Sequence, residues 1–465
     1  MSSIKAIYES IPRDPRAIVG ALATALGTRG VPHCVVDIEG DQDSATTDLI
    51  VKRRDVRIVL SELHSLCCAE LLLVHCREYP NRTESVMALA TENYFRVFTI
   101  TIASPPETNA ILNERERFQG VWRARPAEEF RYLLRRLSAG SCQLGSLRDH
   151  LLALIEEIGL RDTETITAQV FGRRNTGEIF AALEQGSDHI PAHLLARPTT
   201  FGRASESVRS LFAGSAANKG LFLVMLGPDG VGKSATKAAL IAALSSVFQE
   251  YRGWHYRPRI FGRIGPGRPV QAPHSLKARS RWMSLAYLSA VFADCWLGYA
   301  GMARPLLARN SLVIFDRYCH DILIDPVRYR YGGPEWISKA LSVVVPPKER
   351  MFLVLDADES IIFSRKKELP IEEIARQRKL YKDWASSIPG CYLVDTSGPI
   401  DEVVGFATRT VLQHLSQRLA KSYGLIPPRV MGAKPPGEGL HVVRTGAVPT
   451  AKPAETIGTI GESGQ

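Results

Sequence analysis

The eight cysteines of this 465-residue chain include no C-x-x-C pair, and none stands with histidine at zinc-ligand spacing. Cys34, Cys67, Cys68, Cys76, Cys142, Cys295, Cys319 and Cys391 are scattered along the chain. That argues against a zinc ribbon or a dithiol redox motif and leaves reduced, mostly buried thiols. There is no internal repeat, so a solenoid is not expected. Lysine and arginine number 58 against 48 acids, a net charge of +10, yet no basic block concentrates that charge. The excess suits a phosphate-handling surface plus solvated faces, and no nucleic-acid partner is expected. The opening residues, MSSIKAIYESIPRDPRAIVG, contain no apolar signal region. The one long apolar stretch, residues 284–301, is barely long enough to cross a bilayer and carries Asp294 in its middle. A helix inside a folded domain is expected there, with no transmembrane segment. A cytoplasmic location follows from these absences alone.

What is present divides into three regions. Residues 1–200 alternate short apolar runs with helical stretches. Residues 33–40, 47–53, 70–76 and 94–104 are rich in β-branched and aromatic residues and are expected as strands. Residues 55–66, 127–140 and 146–160 carry apolar positions at helical spacing. Asn-Thr-Gly at 175–177 and the stretch 190–205 have the composition of a connection. From 218 to 418 the rhythm changes to short, continuously apolar runs alternating with longer helices. LFLVML, SLVIFD, RMFLVLD and CYLVD suit strands covered on both faces of a parallel sheet. The expected fold is therefore α/β, a parallel sheet with flanking helices, preceded by a smaller α/β domain. Residues 420–465, rich in glycine and proline, are expected to stay disordered.

Gly227-Pro-Asp229-Gly230-Val231-Gly232-Lys233-Ser234 fits G-x-x-x-x-G-K-[ST], between an apolar strand and an alanine-rich helix that continues through Ala235. Its glycines let backbone N–H groups turn inward on a phosphate, Lys233 adds positive charge, and the Ser234 hydroxyl can bind Mg²⁺. The helix N-terminus points its positive end the same way. Further on, Asp316 ends an apolar run, which places its carboxylate at the sheet's carboxyl edge where open α/β folds bind ligands. Asp316 can hold a magnesium-bound water, Arg317 can clamp a phosphate bidentately, and Tyr318 can form an aromatic wall.

Together, Asp229 inside the loop, Asp316-Arg317-Tyr318 after the second run, and LVLDADESIIFSRKKE resemble the thymidylate kinase family of P-loop nucleotide kinases over roughly 218–418. GPDGVGKS, FDRYCHDILIDPVRYRYGGP and ELPIEEIARQRKLY look like the branch found in bacterial polysaccharide gene settings, where a degenerate nucleotidyltransferase-like domain often comes first. The resemblance implies ATP and Mg²⁺ as cofactors. It implies that Asp229 approaches the acceptor's sugar, that Arg317 and Arg257 lie near its phosphate, and that 364–381 forms a lid with Arg365, Arg376 and Arg378 able to close on the transferring group. It places residues 394–404 around adenine.

Taken alone, each lid arginine also fits a solvated helix face. Leu226, Ala235 and Asp321 depart from the family pattern, which points away from dTMP as acceptor. Asp321 and Asp325 fit either a hydroxyl-bearing acceptor or ion pairs with Arg328 and Arg330. Asp294 fits a buried anchor or, with slight preference, the acceptor pocket. In the front region DSATTDLIV keeps only Asp48 of a two-carboxylate metal clamp, with Thr46 in the first position. One carboxylate cannot hold two metals, so this domain binds, positions or regulates, or is an unrelated α/β module. The expected activity is transfer of the ATP γ-phosphate to a nucleoside monophosphate or related sugar-bearing acceptor in surface polysaccharide synthesis, with a homodimer as the candidate assembly. A P-loop ATPase and a non-catalytic nucleotide-binding scaffold are the alternatives.

Overall fold

The computed structural model describes residues 15–37, 46–67, 71–79, 82–90, 95–118, 120–140, 142–195, 220–262, 277–347, 350–367, 369–388, 390–425 and 442–443. Two sheets organise them. The front sheet has seven strands: β1 (His33–Asp37), β2 (Thr46–Val51), β3 (Leu71–Tyr79), β4 (Arg82–Ala90), β5 (Phe95–Ala103), β6 (Glu116–Phe118) and β7 (Val121–Arg123), in the order β3-β4-β5-β2-β1-β7-β6. Helices α1 (Pro15–Thr28) and α2 (Val56–Ser65) pack against it, as does α3 (Pro126–Ser138), which starts on a proline at its first position. Three helices follow: α4 (Arg148–Ile158), α5 (Leu160–Phe171) and α6 (Thr176–Glu184).

The rear sheet consists of β8 (Leu221–Leu226), β9 (Tyr251–His255), β10 (Leu312–Asp316), β11 (Met351–Asp356), β12 (Cys391–Asp395) and β13 (Val442–Val443). Its order is β13-β12-β11-β8-β10-β9 and every pairing is parallel. Its helices are α7 (Lys233–Ala243), α8 (Arg281–Gly298), α9 (Glu335–Val344), α10 (Glu359–Arg365), α11 (Ile371–Ser387) and α12 (Ile400–Tyr423). The chain is thus α/β, with a parallel sheet flanked by helices. The continuous apolar runs follow from this layering. Along β8, Leu221, Leu223 and Met225 face a core shared with α7 and α12, while Phe222, Val224 and Leu226 face a core shared with α8.

Alternation joins the two sheets as well. On β3 and β4, Leu71, Leu73, Met87 and Leu89 pack with α1 and α2, whereas Leu72, Val74, Val86 and Ala88 enter the same core as α12 residues Val411, Leu412 and Leu415.

Several expectations are corrected. Asn-Thr-Gly at 175–177 is no connection: Thr176 opens α6, whose Ile179, Ala182 and Leu183 are buried. Of the other expected connection, 190–205, the described residues 190–195 bury Ile190 and Leu194 in the core of the front region, and 196–205 lie outside the described residues. Strand β9 was not expected, because Tyr-Arg-Gly-Trp-His is an exposed edge without an apolar run, aligned by its pairing with β10. Strand β4 was also missed. The last helix runs past 418 to Tyr423 and closes on Gly424 in the left-handed region, φ 66°. Within the stretch expected to be disordered, Val442–Val443 pair with Leu393 and Val394; residues 426–441 and 444–465 lie outside the described residues. No described helix is long and apolar enough to cross a membrane. Seven cysteines are described, five of them buried.

Candidate active site

The loop between β8 and α7 is shaped by close approach. Gly227 has φ 140°, and a Cβ there would stand 2.5 Å from the Leu355 carbonyl oxygen. No side chain fits. Gly230 and Gly232 also have positive φ, and buried Val231 pins the loop to the core. Thr396, just after β12, donates its hydroxyl to the Val231 carbonyl at 2.8 Å, which ties residues 395–399 to the loop.

Lys233 begins α7. Its ammonium donates to the Gly227 and Pro228 carbonyls at 2.9 and 2.6 Å, and burial, with Arg317 adding to it, lowers its pKa to about 7. Ser234 and Ala235 are exposed at the first turn of the helix. Asp316 ends β10, the strand beside β8. Its carboxylate is 3.6 Å from Lys237 and 3.9 Å from His255, and its Oδ1 is buried with no hydrogen-bond partner. Burial pushes this carboxyl up, but the His255 hydrogen bond and the Lys233 and Lys237 charges outweigh it and hold the pKa at about 2.

Arg317 takes φ 69°, a left-handed conformation that costs a non-glycine residue about 1–3 kcal/mol. Its N–H still bonds the Met225 carbonyl at 2.9 Å, so the strand pairing continues through the turn. Its guanidinium is buried, donating to Asp321 (2.6 Å), Tyr381 (2.8 Å) and Asp229 (2.6 Å). Asp229 also accepts from Arg328 at 2.7 Å and lies 3.8 Å from Lys233. Burial would raise its pKa, but Arg317, Arg328 and Lys233 drive it far below the usual carboxylate range. Asp321 is wholly buried and also accepts from Tyr329 (2.7 Å) and Tyr381 (2.6 Å). Burial raises its pKa too, and Arg317 and the two tyrosines overcome that and lower it.

The sequence-derived candidates therefore divide. Lys233, Ser234, Asp316, Arg317, Asp229 and Asp321 converge on one edge of the sheet. Tyr318 does not join them: its ring packs on Phe222 and Phe315 and its hydroxyl donates to Pro346, so it belongs to the core. The tyrosines bordering Asp321 are Tyr329, stacked on Tyr256 at 4.8 Å, and Tyr381. Asp294 is the buried anchor rather than an acceptor contact. It accepts from Arg257 (2.9 Å) and from the backbone N–H groups of Arg259 (2.9 Å) and Phe261 (3.0 Å), which holds residues 257–262 in place. Arg257, committed to Asp294 and to the Gly262 carbonyl, is part of that anchor.

The lid arginines are likewise engaged. Arg378 lies against Asp356 with both carboxylate oxygens and reaches Glu359. Arg376 holds Glu373 and Asp325. Arg365 bonds the Thr396 carbonyl at 2.9 Å. Asp321 pairs with Arg317 rather than with Arg328 or Arg330, and Arg330 bonds the Lys277 carbonyl. Arg328, Lys237, His255, Tyr329 and Tyr381 were not singled out from the sequence as site residues. The clearest available signal was Tyr381, three residues after Arg378 and so on the same face of α11.

In the front sheet, buried Asp48 is bound by Arg136 and by the Tyr132 hydroxyl at 2.8 Å. The side chain of Thr46 lies outside what is described. Among the described residues no group of three or more His, Cys, Asp or Glu could hold a metal ion.

No family model matches the chain, and no curated protein matches it. Among solved structures it is similar to a thymidylate kinase from Ehrlichia chaffeensis, with 18% identity and a TM-score of 0.29, over 42% of this chain and 99% of that one.

Proposed function

We propose that the chain is an ATP- and Mg²⁺-dependent phosphotransferase of the P-loop kinase type, acting on a sugar-bearing acceptor such as a nucleoside monophosphate or a related molecule. The observation that carries this reading is Asp229. This carboxylate belongs to the phosphate loop, yet Arg328 holds one of its oxygens and Arg317 ties the other to buried Asp321 with its Tyr329 and Tyr381 partners, so a polar cluster beyond the loop shares its carboxylate.

The residues fit the cofactors. The loop turns through three positive-φ glycines, Gly227, Gly230 and Gly232, into the N-terminus of α7, which offers its N–H groups to a phosphate. Asp316 Oδ1 is an ionised, buried oxygen without a partner, and the exposed Ser234 hydroxyl lies at the first turn. Ser234 and Asp316 would hold Mg²⁺, which neutralises charge on the transferring phosphate. Lys233 then stabilises the β/γ oxygens, while Arg317 and Arg328 orient Asp229 toward the acceptor. The front region would bind or position a partner rather than catalyse, since its Asp48 is already bound by Arg136. A role in surface polysaccharide synthesis rests on the motif resemblance alone.

The test is acceptor-dependent ADP release by the full chain. Lys233→Ala should abolish it and weaken ATP binding. Unchanged ATP affinity and turnover in that variant would refute the P-loop assignment, and ADP release indifferent to every added acceptor would refute the kinase reading.

A further inference from the structure

We infer that the acceptor is a neutral hydroxyl compound, a sugar, nucleoside or polyol, rather than a phosphate monoester, and that Asp229 accepts a hydrogen bond from the attacking hydroxyl and orients it. This rests on the phosphotransferase reading and narrows its acceptor to sugar-bearing compounds without a phosphate, against the nucleoside monophosphate given there as an example.

The first ground is charge pairing. A phosphate monoester near pH 7 is close to a dianion and needs a surplus of cations. Among the described residues the arginines of this wall are already matched: Arg317 by Asp321 and Asp229, Arg328 by Asp229, Arg376 by Asp325 and Glu373. Arg279, over the Tyr287 ring and on the Tyr329 carbonyl, has no carboxylate partner among the described residues, and its single charge falls short of a dianion. The match at Arg317 is not a surface pair that an arriving phosphate could displace. The Asp321 side chain is 0% exposed and is held from three sides by Arg317, Tyr329 and Tyr381. Its charge stays beside any bound anion, and in a partly screened interior that repulsion is several-fold stronger than in water.

The second ground is Asp229 itself. Its side chain keeps 27% of its surface, unlike Asp321, and it lies 3.8 Å from the ammonium that faces the transferring phosphate. Two guanidiniums hold its two oxygens. A carboxylate fixed there repels a phosphate but accepts a hydrogen bond from a hydroxyl. The step balances as follows. The acceptor oxygen bonds to the γ-phosphorus, and the bond to the bridging oxygen breaks with its electron pair leaving on ADP. The hydroxyl proton, hydrogen-bonded to Asp229 beforehand, passes to an oxygen of the transferred phosphoryl group and on to solvent, giving a phosphate monoester, ADP and H⁺. The stacked Tyr256 and Tyr329 provide an aromatic border of the kind that sugar and base rings favour.

The experiment uses the full chain with ATP and Mg²⁺ against paired acceptors: nucleosides, hexoses and polyols, each beside its monophosphate. Products are read by phosphorus NMR, which separates a new monoester from a new phosphoanhydride. Monoester formation on the neutral compounds, with the monophosphates at least tenfold poorer, is expected. Phosphoanhydride formation from monophosphates with the hydroxyl compounds inert would overturn the inference and leave the kinase reading standing. ADP release indifferent to all acceptors would overturn both. Asp229→Asn, which keeps the shape but loses the charge that orients the hydroxyl, should lower kcat up to about 10²-fold with nucleotide Kd within about twofold. An unchanged kcat would remove Asp229 from the role. A rise in nucleotide Kd that accounts for the whole loss would make it a binding residue instead, and would equally overturn the assignment.

Discussion

Adding nucleotide to the protein at about pH 8.5 should draw a proton from the buffer. The source of the effect is Lys233, whose ammonium is buried against the Gly227 and Pro228 carbonyls with Arg317 nearby, and whose pKa falls from 10.5 to about 7. At pH 8.5 it is then about 97% neutral in the nucleotide-free protein. A polyphosphate delivered to the loop favours the charged form and raises the pKa again. If the bound value returns to 10.5, uptake approaches one proton per nucleotide, about 0.96. Affinity should then fall about tenfold per pH unit above 7 and level off below it. The folding term runs the other way. A lysine whose folded pKa lies below its unfolded one disfavours folding fully below about pH 7, and that cost is relieved as pH rises toward 10.5. Between those limits the free protein gains stability from this group while its nucleotide affinity drops. Titration calorimetry of ADP at about pH 8.5, in two buffers of different ionisation enthalpy, measures the proton directly, and Lys233→Met should abolish the buffer dependence. Heats of binding that are identical in the two buffers for the unaltered protein would refute the reasoning.

Two substitutions test the corrected roles. Asp294→Ala strands buried Arg257 and leaves the Arg259 and Phe261 N–H groups unpaired. It should cost about 3–5 kcal/mol in urea denaturation; a loss under about 1 kcal/mol would mean that Asp294 is no anchor. Asp48→Asn removes the charge opposite Arg136 and should lower stability by a similar margin of about 3–5 kcal/mol, while kcat per folded molecule stays unchanged. A collapse of kcat in correctly folded protein would give the front sheet a catalytic part.

The rear sheet was legible because its strands are covered twice. Leu221–Leu226 and Met351–Asp356 are apolar on both faces, a pattern that alternating surface strands do not produce. Tyr251–His255 pairs in the same sheet yet stayed hidden, since an exposed edge strand has no reason to be apolar. The positions of Lys233 and Asp316 followed from local rules: a glycine turn opening a helix, and a carboxylate ending a strand. The partners of the arginines did not. Arg378 lies against Asp356, 22 residues away in sequence, and Arg317 against Asp229, 88 residues away. A side chain that long accepts whichever carboxylate the fold brings near, and motif spacing does not encode that choice. Tyr318 was misplaced for a related reason. It follows two site residues in sequence, but the left-handed turn at Arg317 sends the chain back into the core.

The same packing bears on why so many residues precede the phosphate loop. Helix α12 begins just after residues 395–399, whose Thr396 holds the Val231 carbonyl of that loop. One part of α12 buries Val411, Leu412 and Leu415 against the rear sheet and, in the same cluster, against Leu72, Val74, Val86 and Ala88 of the front sheet. One turn further on, Leu419 enters the core of α1 and α2. A helix with apolar positions on that many sides is not stable in water, because each buried aliphatic side chain contributes about 1.5–3 kcal/mol only when a partner covers it. The front sheet is therefore the outer wall of the helix that leads away from the nucleotide loop. Its strands β3 and β4 are apolar on both faces for that reason, one face serving their own core and the other serving α12. A sheet that covers α12 needs its hydrophobic pattern intact and needs no active site of its own, and its buried Asp48 is bound by Arg136 and Tyr132.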